Sequence, residues 1–265
     1  MKASAGQENL DPTLVILVPF FNEEHSLAAC LGAIEYAEEG IQNGITSSAP
    51  EYTVLLCDSG STDRSADIAN TFVAKHSHWK LSNSGQVESL PHLLAQVFNA
   101  SVQWHWIISS DIVVSRPAFA WAMDQISAVS TDNSEPRCSF VFQKTYSCTS
   151  LRYRIYAWVL NHVLLGQLKT LVWTNAPILT RNSLTELLSK AEGFLDDLRL
   201  SGILRHEGFA LRTSPFKVLV NSRRYEGTGF WSQLWRNVRV LWGYYVQKKP
   251  SYELKKLYLT GAKKI

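Results

Sequence analysis

Two uninterrupted apolar runs, each followed by a short polar segment, constrain the fold of this chain more than any other feature. Residues 14–18 read LVILV and residues 52–57 read YTVLLC. Strands buried on both faces have this pattern, and parallel sheets supply such strands. Between the runs, residues 26–39 form a helical pattern with apolar residues on one face. This alternation predicts βαβ crossovers, a parallel sheet and an α/β fold with a Rossmann-like first half.

Weaker patterns predict the remaining elements. We expect a helix over 65–75 and an α/β unit over 90–108 whose strand is 106–108. In the second half we expect strands at 139–143 and 215–220 and helices at 151–171 and 192–207. The predicted organisation is a flexible N-terminus, one domain in two halves and a helical C-terminal extension that is rich in aromatic and basic residues. The N-terminus covers residues 1–12, the two halves of the domain cover 13–117 and 118–228, and the extension covers 229–265.

Composition narrows the class of protein. Of the 265 residues, 46% are hydrophobic and 18% are charged, which predicts a sizeable core rather than a disordered chain. The net charge of +3 is too small to indicate a nucleic-acid partner. The four cysteines form no C-x-x-C pair, so we expect no zinc site and a reduced, cytoplasmic protein. The apolar stretch 155–173 is interrupted by polar residues and predicts no transmembrane helix.

Polar residues follow each predicted parallel strand, where open α/β sheets bind their ligands. After the first strand come Pro19, Asn22 and Glu23, and the last two can hydrogen-bond a base or ribose. The alternative is that Asn22 caps the next helix and the acids lie in its first turn. After the second strand, Asp58 can accept a hydrogen bond from a nucleobase N–H. In the same segment, Gly60 permits a tight turn and Asp63 can cap a helix.

Two more carboxylate positions complete the set of candidates. Asp111 follows the third predicted strand and can hold a divalent ion against a diphosphate, or it is a turn or helix-capping aspartate. Farther along, Asp196 and Asp197 lie near a predicted helix start. They are either solvated charges or include a general base that deprotonates a hydroxyl.

In order and spacing, these motifs resemble the family-two glycosyltransferases of the GT-A fold. The segments are VPFFNEE, LLCDSGSTDRS, IISSD and GFLDDLRL followed by HEGF, and the resemblance runs from about residue 14 to 224. It implies an enzyme that transfers a sugar from a nucleotide-sugar donor to a saccharide, lipid-linked or small-molecule acceptor with inversion. It also implies Mg²⁺ or Mn²⁺ on the donor diphosphate, a GT-A nucleotide-binding sheet with helices on both faces, and an acceptor-side C-terminal portion.

The resemblance assigns a role to each matching residue. Asp197 is the expected general base, because it matches the second position of the family's Glu-Asp pair, and Asp196 is its neighbour. Asp111 is the expected metal ligand. The acceptor side is expected at Trp173, Thr174 and Asn175. Residues expected to bind the donor are Pro19, Phe20, Asn22, Glu23, Asp58, Gly85, Gln86, Ser110, Asp111, Arg223 and Arg224. For the two arginines, plain surface charge is the alternative to a diphosphate clamp.

The chain also departs from the family's pattern. Ser109 stands where the family's D-x-D begins, so Asp111 remains as a single carboxylate and weak metal binding is expected. Gln86 replaces a common lysine and removes one phosphate contact. Because Ser109 interrupts the family's metal-binding motif, the alternative is that the chain is a non-catalytic nucleotide-binding relative. A nucleotidyltransferase is disfavoured because no glycine-rich, basic loop follows the first strand. Residues 233–237 echo the Q-x-x-R-W motif of processive members only in part, so polymer synthesis is not expected.

From residue 230 onward, aromatic and basic residues interleave. Such a segment can lie on an anionic membrane surface, with Trp and Tyr at the headgroup level. The alternative is that Trp231, Trp235 and Trp242, at helical spacing, cover the core. We expect the tryptophans to pack in the core, and the lysines from Lys248 onward to contact the inner membrane face or an acidic partner.

Overall fold

The computed structural model describes residues 12–42, 49–87, 89–130, 136–190 and 196–250, with Glu253, Leu254 and Lys256. Its strands are β1 (Leu14–Phe20), β2 (Tyr52–Asp58), β3 (Trp79–Asn83), β4 (Trp104–Ile107), β5 (Ile112–Val113), β6 (Cys138–Tyr146), β7 (Ile178–Thr180) and β8 (Ala210–Val220). Its α-helices are α1 (Leu27–Gln42), α2 (Ser65–Val73), α3 (Leu90–Val97), α4 (Arg116–Ser130), α5 (Leu151–Val159), α6 (Arg181–Ser189), α7 (Asp196–His206), α8 (Arg223–Thr228) and α9 (Phe230–Tyr245).

Over the described residues these strands form one sheet in the order β3-β2-β1-β4-β7-β6-β8-β5. The pairs β3–β2, β2–β1 and β1–β4 are parallel, which confirms the predicted Rossmann-like half. The second half is mixed. Strand β7 runs antiparallel to both β4 and β6, whereas β6 and β8 are parallel. The prediction of a parallel sheet therefore holds for the first half and is wrong for the whole, because β7 enters the sheet in the opposite direction.

Strand β1 separates two hydrophobic layers and explains why its sequence is apolar throughout. Ile16 and Val18 face a core formed with α1 and α4. Val15 and Leu17 face a second core formed with α3, α6 and α7. Successive side chains of a strand point to opposite faces, so a strand covered by helices on both sides has no polar position. This arrangement confirms the predicted helices on both faces of the sheet.

The long helical pattern at 151–171 is confirmed with a change of geometry. Helix α5 continues as a π-helix over Leu160–Gln167, and a 3₁₀ turn follows at Trp173–Asn175. In the C-terminal extension, α9 confirms the predicted helix but not its predicted packing. Trp231, Trp235 and Trp242 are 69%, 65% and 58% exposed, so the expectation that they cover the core is wrong.

Candidate active site

The loops after β1 and β2 are joined by hydrogen bonds at the carboxyl edge of the sheet. Asn22 has a positive φ of 52°, and its Oδ1 accepts from the Thr62 backbone N–H at 2.8 Å. In return, the Asn22 N–H donates to Ser61 Oγ at 3.1 Å. Helix α1 begins at Leu27, whose N–H donates to the Glu23 carbonyl at 2.9 Å. The helix-cap interpretation of Asn22 is therefore wrong, because its side chain holds the neighbouring loop.

Asp63 strengthens the same junction. Its Oδ1 accepts from the Ser65 N–H at 2.9 Å, next to the start of α2, and its Oδ2 accepts from the Glu24 N–H at 3.1 Å. Although partial burial raises the pKa of this carboxyl, hydrogen bonds from Ser65 and Glu24 outweigh burial and hold the pKa below its ordinary value. The predicted helix cap at Asp63 is one residue off, because the N-cap position is Arg64; Asp63 accepts from the first helical N–H and holds the loop after β1.

Asp58 lies at the end of β2 and is 3% exposed. Its Oδ1 accepts from both the N–H and the hydroxyl of Ser61, at 2.9 and 2.7 Å. Within the described part of the chain, no hydrogen bond reaches its Oδ2, so one carboxylate oxygen shapes the loop and the other has no protein donor.

Gly60 brings the segment after β3 against this loop. Its φ is +83°, and a Cβ at this position would lie 3.1 Å from Gln86 N and from the Gly85 carbonyl carbon. The predicted tight turn at Gly60 is therefore confirmed, and the close approach adds a second reason for glycine. Because the Ser84 N–H also donates to the Asp58 carbonyl at 3.0 Å, the structure places Gly85 and Gln86 beside Asp58.

In residues 18–21, VPFF, the strand extends farther than predicted and a different phenylalanine is exposed. Strand β1 continues through Pro19, which pairs with Cys57, so the proline does not end the strand. Phe20 is 3% exposed and packs in the core between α1 and the sheet. Its side chain is therefore unavailable to a donor, contrary to the prediction. The exposed aromatic ring of this segment is that of Phe21, at 51%. Sequence reasoning missed it because the pattern does not show which of two adjacent phenylalanines faces the core.

Glu23 and Arg223 meet across 200 residues of sequence. Arg223 Nη2 donates to Glu23 Oε2 at 2.8 Å, and the Ser26 hydroxyl donates to the same oxygen at 2.5 Å. Glu23 is 5% exposed, so its charge is compensated inside the chain. The predicted contact from Glu23 to a base or ribose does not fit this placement. The surface-charge alternative for Arg223 is also wrong, because its guanidinium pairs with a buried carboxylate.

Asp111 belongs to the same neighbourhood. Glu23, Ser26, Asp111, Asn221 and Arg223 line one small pocket. The Asp111 carbonyl accepts from the Asn221 N–H at 2.9 Å, which joins the turn after β4 to the end of β8. Burial, followed by the nearby Asp111 charge, raises the pKa of the Cys30 thiol on α1. The pocket thus lies between α1, the turn after β4 and the start of α8.

The side chains around Asp111 show whether this pocket could bind the expected divalent cation. Among the described residues, no group of three His, Cys, Asp or Glu side chains can hold an ion. Asp111 and Glu23 bring two carboxylates to one pocket, but Glu23 is engaged by Arg223. Ser110 is buried, and the Ser109 carbonyl accepts from the Ile112 N–H at 2.9 Å. This set fits a divalent cation only where phosphate oxygens supply further ligands.

The predicted acceptor segment is partly structural. Asn175 is 2% exposed, and its Nδ2 donates to the Phe142 carbonyl at 2.7 Å while its Oδ1 accepts from the Val172 N–H at 3.0 Å. Its amide therefore holds the 3₁₀ turn against β6 and is not available to bind an acceptor substrate. Thr174 accepts from Lys144 Nζ at 2.7 Å, and Trp173 packs against the second core. Sequence reasoning missed Lys144, a buried cation on β6.

The expected catalytic pair lies at the start of α7, which begins at Asp196. The side chains of Asp196 and Asp197, like that of Arg224 in α8, lie outside the described residues. Their predicted roles therefore remain predictions.

Comparisons with known proteins give one family match and several similar solved structures. Residues 15–127 match the sequence model of a family described as Glycosyl transferase family 2. A search of curated proteins gives no match. Two solved structures of the 1–349 fragment of S. aureus TarS are similar. One is 13% identical with a TM-score of 0.53, covering 93% of this chain and 69% of the other. The second, in complex with UDP-GlcNAc, is 12% identical with a TM-score of 0.52, covering 94% and 71%.

A mannosyltransferase shares the fold at similarly low identity. PcManGT from Pyrobaculum calidifontis, solved in complex with GDP-Man and Mn²⁺, is 16% identical with a TM-score of 0.52, covering 94% of this chain and 68% of the other. The sheet and the two helical layers define an α/β protein of the GT-A glycosyltransferase fold. The resemblance to family-two glycosyltransferases that the motifs indicated is confirmed over residues 15–127.

Proposed function

We propose that this chain is an inverting glycosyltransferase that moves a sugar from a nucleotide-sugar donor to an acceptor hydroxyl. The observation that carries the proposal is the convergence of the loops after β1, β2 and β3 at the carboxyl edge of the sheet. Together with the family match over residues 15–127, this edge is the expected donor site.

Asp58 is the proposed nucleoside contact. Its Oδ1 is occupied by Ser61, which fixes the carboxylate, and its Oδ2 can accept from a nucleobase N–H. Gly85 and Gln86 lie beside it and line the same end of the site. Because the loop is already held by Asn22 and Asp63, donor binding does not need to order it.

The pocket around Asp111 is the proposed diphosphate end. Arg223 offers a guanidinium to phosphate oxygens, and Glu23 positions that guanidinium at 2.8 Å. A Mg²⁺ or Mn²⁺ ion held by Asp111 and the donor phosphates would stabilise the charge of the leaving nucleoside diphosphate. The family's first aspartate is Ser109 here, so Arg223 carries a larger share of charge neutralisation than the metal motif alone would suggest.

Asp197 is the proposed general base. It takes the proton of an acceptor hydroxyl, whose oxygen forms a bond to the anomeric carbon while the bond from that carbon to the diphosphate oxygen breaks. One displacement from the opposite face inverts the anomeric carbon. We propose that the acceptor binds near the 3₁₀ turn, at Trp173 and Thr174.

Donor turnover tests the proposal. Purified protein is screened by thermal shift against nucleotide-sugars with and without Mn²⁺, since a ligand of the folded state raises its apparent stability. The stabilising donor is then followed for hydrolysis or transfer. In Asp197→Asn the rate should fall by about 10²–10⁴ with donor affinity unchanged. Asp196→Asn is the matched control and should stay active.

The rival functions give different results in the same assays. Donor binding without turnover in the unchanged protein would indicate a non-catalytic relative. Turnover of nucleoside triphosphates with a sugar phosphate would indicate a nucleotidyltransferase. An inactive Asp196→Asn beside an active Asp197→Asn would move the base by one residue.

Metal affinity tests the diphosphate end separately. Few other metal-binding side chains accompany Asp111 among the described residues. Mn²⁺ should therefore bind measurably only when a nucleoside diphosphate is present. Ser109→Asp should tighten that binding. Tight Mn²⁺ binding in the absence of nucleotide would contradict this arrangement.

A further inference from the structure

Helix α9 buries Phe230 and Val240, yet it leaves its largest apolar side chains on the outer side. It also buries Gln233 and Arg236, each 8% exposed, on the side that faces the protein. Its outer side carries large apolar residues at spacings of three and four, the pattern of a single helical face. These residues are 43–69% exposed: Trp231, Trp235, Val238, Trp242 and, just beyond the helix, Val246. Water is a poor environment for three tryptophans on one face.

Contacts along its length fix α9 in this orientation. Near its start, the Phe230 ring lies 4.9 Å from that of Tyr153 on α5. In its middle, Asn237 Nδ2 donates to the Tyr156 hydroxyl at 2.9 Å. At its end, the Tyr245 hydroxyl lies 2.7 Å from Thr170 Oγ1. Rotating the helix to bury the tryptophans would break all three contacts, so their exposure belongs to the packed structure.

The neighbouring helix α5 presents a similar row. Leu151, Ile155 and Trp158 are 68%, 55% and 56% exposed, and their spacing places them on one side of the helix. The opposite side buries Tyr153 and Tyr156 in the contact with α9. Two adjacent helices therefore each expose apolar side chains while packing through tyrosines.

Basic residues predominate along these rows, although Glu226 on the neighbouring α8 lies close enough to Tyr153 for the two side chains to interact electrostatically. No Asp or Glu occurs in residues 151–185 or 227–252. Exposed cations flank the apolar positions, namely Arg152, Arg154, Arg239 and Lys248. An isologous contact with a second copy would bring these cations together and incur like-charge repulsion. An anionic surface would instead be attracted.

We propose that the exposed face of α9, with the row on α5, rests on an anionic lipid bilayer. Tryptophan favours the headgroup region because its ring is apolar and its indole N–H is polar, and arginine and lysine there pair with lipid phosphate. Among the described helices, none is long and apolar enough to cross a membrane. The face therefore lies in the interface, with its apolar side chains at the boundary of the acyl chains. This inference is independent of the sugar chemistry.

Vesicle flotation with the full chain tests the proposal. The probes are vesicles of phosphatidylcholine alone and of phosphatidylcholine mixed with phosphatidylglycerol, across a salt series. The unchanged protein should bind the mixed vesicles, more weakly as salt rises. The triple variant Trp231→Ser, Trp235→Ser and Trp242→Ser should lose at least about tenfold in affinity. Trp158→Ser should weaken binding by a smaller factor.

Matched variants separate lipid binding from misfolding and from self-association. Phe216, at 38% exposure on β8, provides a matched loss of an exposed ring, and Phe216→Ser should bind like the unchanged protein. Because the replaced tryptophans are exposed, the triple variant should keep its melting temperature and its nucleotide binding. Equal flotation of the triple variant and the unchanged protein would overturn the proposal. So would self-association that the same substitutions abolish, since that would identify a second copy as the partner. Unchanged binding by Trp158→Ser would remove α5 from the face.

Discussion

Helices α1 and α9 are each 16 residues long, and they differ in where their largest apolar residues lie. In α1, Leu27, Leu31 and Ile34 are fully buried against the sheet. In α9, Gln233 and Arg236 are buried together with Phe230 and Val240, while three tryptophans face outward. Helical spacing correctly groups the residues of each face in both helices. It does not determine which face the protein covers, because that depends on whether the apolar partner belongs to the same chain.

The largest expected effect lies in α1. Ile34→Ala removes a fully buried side chain between α1 and the sheet. The free energy of unfolding should fall by about 2–5 kcal/mol, from lost burial plus the cavity left behind. Urea denaturation followed by circular dichroism measures it. A loss below the effect of an exposed substitution would mean that α1 is not packed as described.

The next effect is a loss of folding stability at low pH, caused by the buried imidazole of His105 in the first half of the sheet. His105 on β4 is 1% exposed, and among the described residues the backbone of Asn99 is the one polar group that opposes the effect of its burial on the pKa. Burial lowers its pKa from 6.5 to about 4. The unfolded state therefore binds the proton more readily, so this contribution to stability is complete above about pH 6.5 and is lost as pH falls toward 4. The total loss is about 3 kcal/mol.

The pH prediction is tested by comparing the unchanged protein with a variant that lacks this imidazole. His105→Phe should abolish this part of the pH dependence while retaining a buried ring beside Phe98. Unfolding free energies of the two proteins should converge or cross as pH falls from 7 to 4. Parallel curves across that range would contradict a buried neutral imidazole.

A smaller effect is expected from the link between the two site loops. Asn22→Ala removes the acceptor of the Thr62 N–H and should cost about 1 kcal/mol of stability. It should also weaken nucleotide binding, because the loop after β2 then has to be ordered by the ligand. Asn70→Ala, at an exposed position on α2, is the control. Unchanged nucleotide affinity in Asn22→Ala would separate this link from the site.

The smallest effect is expected on the outer face of α9. Trp235→Ala truncates a side chain that is 65% exposed. Its free energy of unfolding in the absence of lipid should change by no more than about 0.5 kcal/mol, in contrast to Ile34→Ala. Denaturation under the same conditions compares the two directly. A loss comparable with that of Ile34→Ala would show that Trp235 supports the fold after all.

The sequence predicts the first half of the fold well because its strands are continuous apolar runs ending in polar turns. Strand β3 was not predicted, since at the sheet edge its sequence WKLSN mixes buried and exposed positions. The reversal at β7 was also missed, because three residues carry no signal of strand direction. At the site, local turn chemistry revealed Gly60 and Asp63. The pairing of Glu23 with Arg223 could not be predicted, because nothing local links positions 200 residues apart.

Calorimetric titration of UDP and GDP, each with Mn²⁺, tests most directly whether the carboxyl edge of the sheet holds a nucleotide. Asp58→Asn keeps an acceptor for Ser61 but replaces the other carboxylate oxygen with an N–H donor. Asp67→Asn, exposed on the adjacent α2, is the matched control. We predict that one nucleotide binds the unchanged protein and the control equally and binds Asp58→Asn at least about tenfold more weakly. Equal affinity in all three proteins, or no binding of either nucleotide, would contradict the assignment.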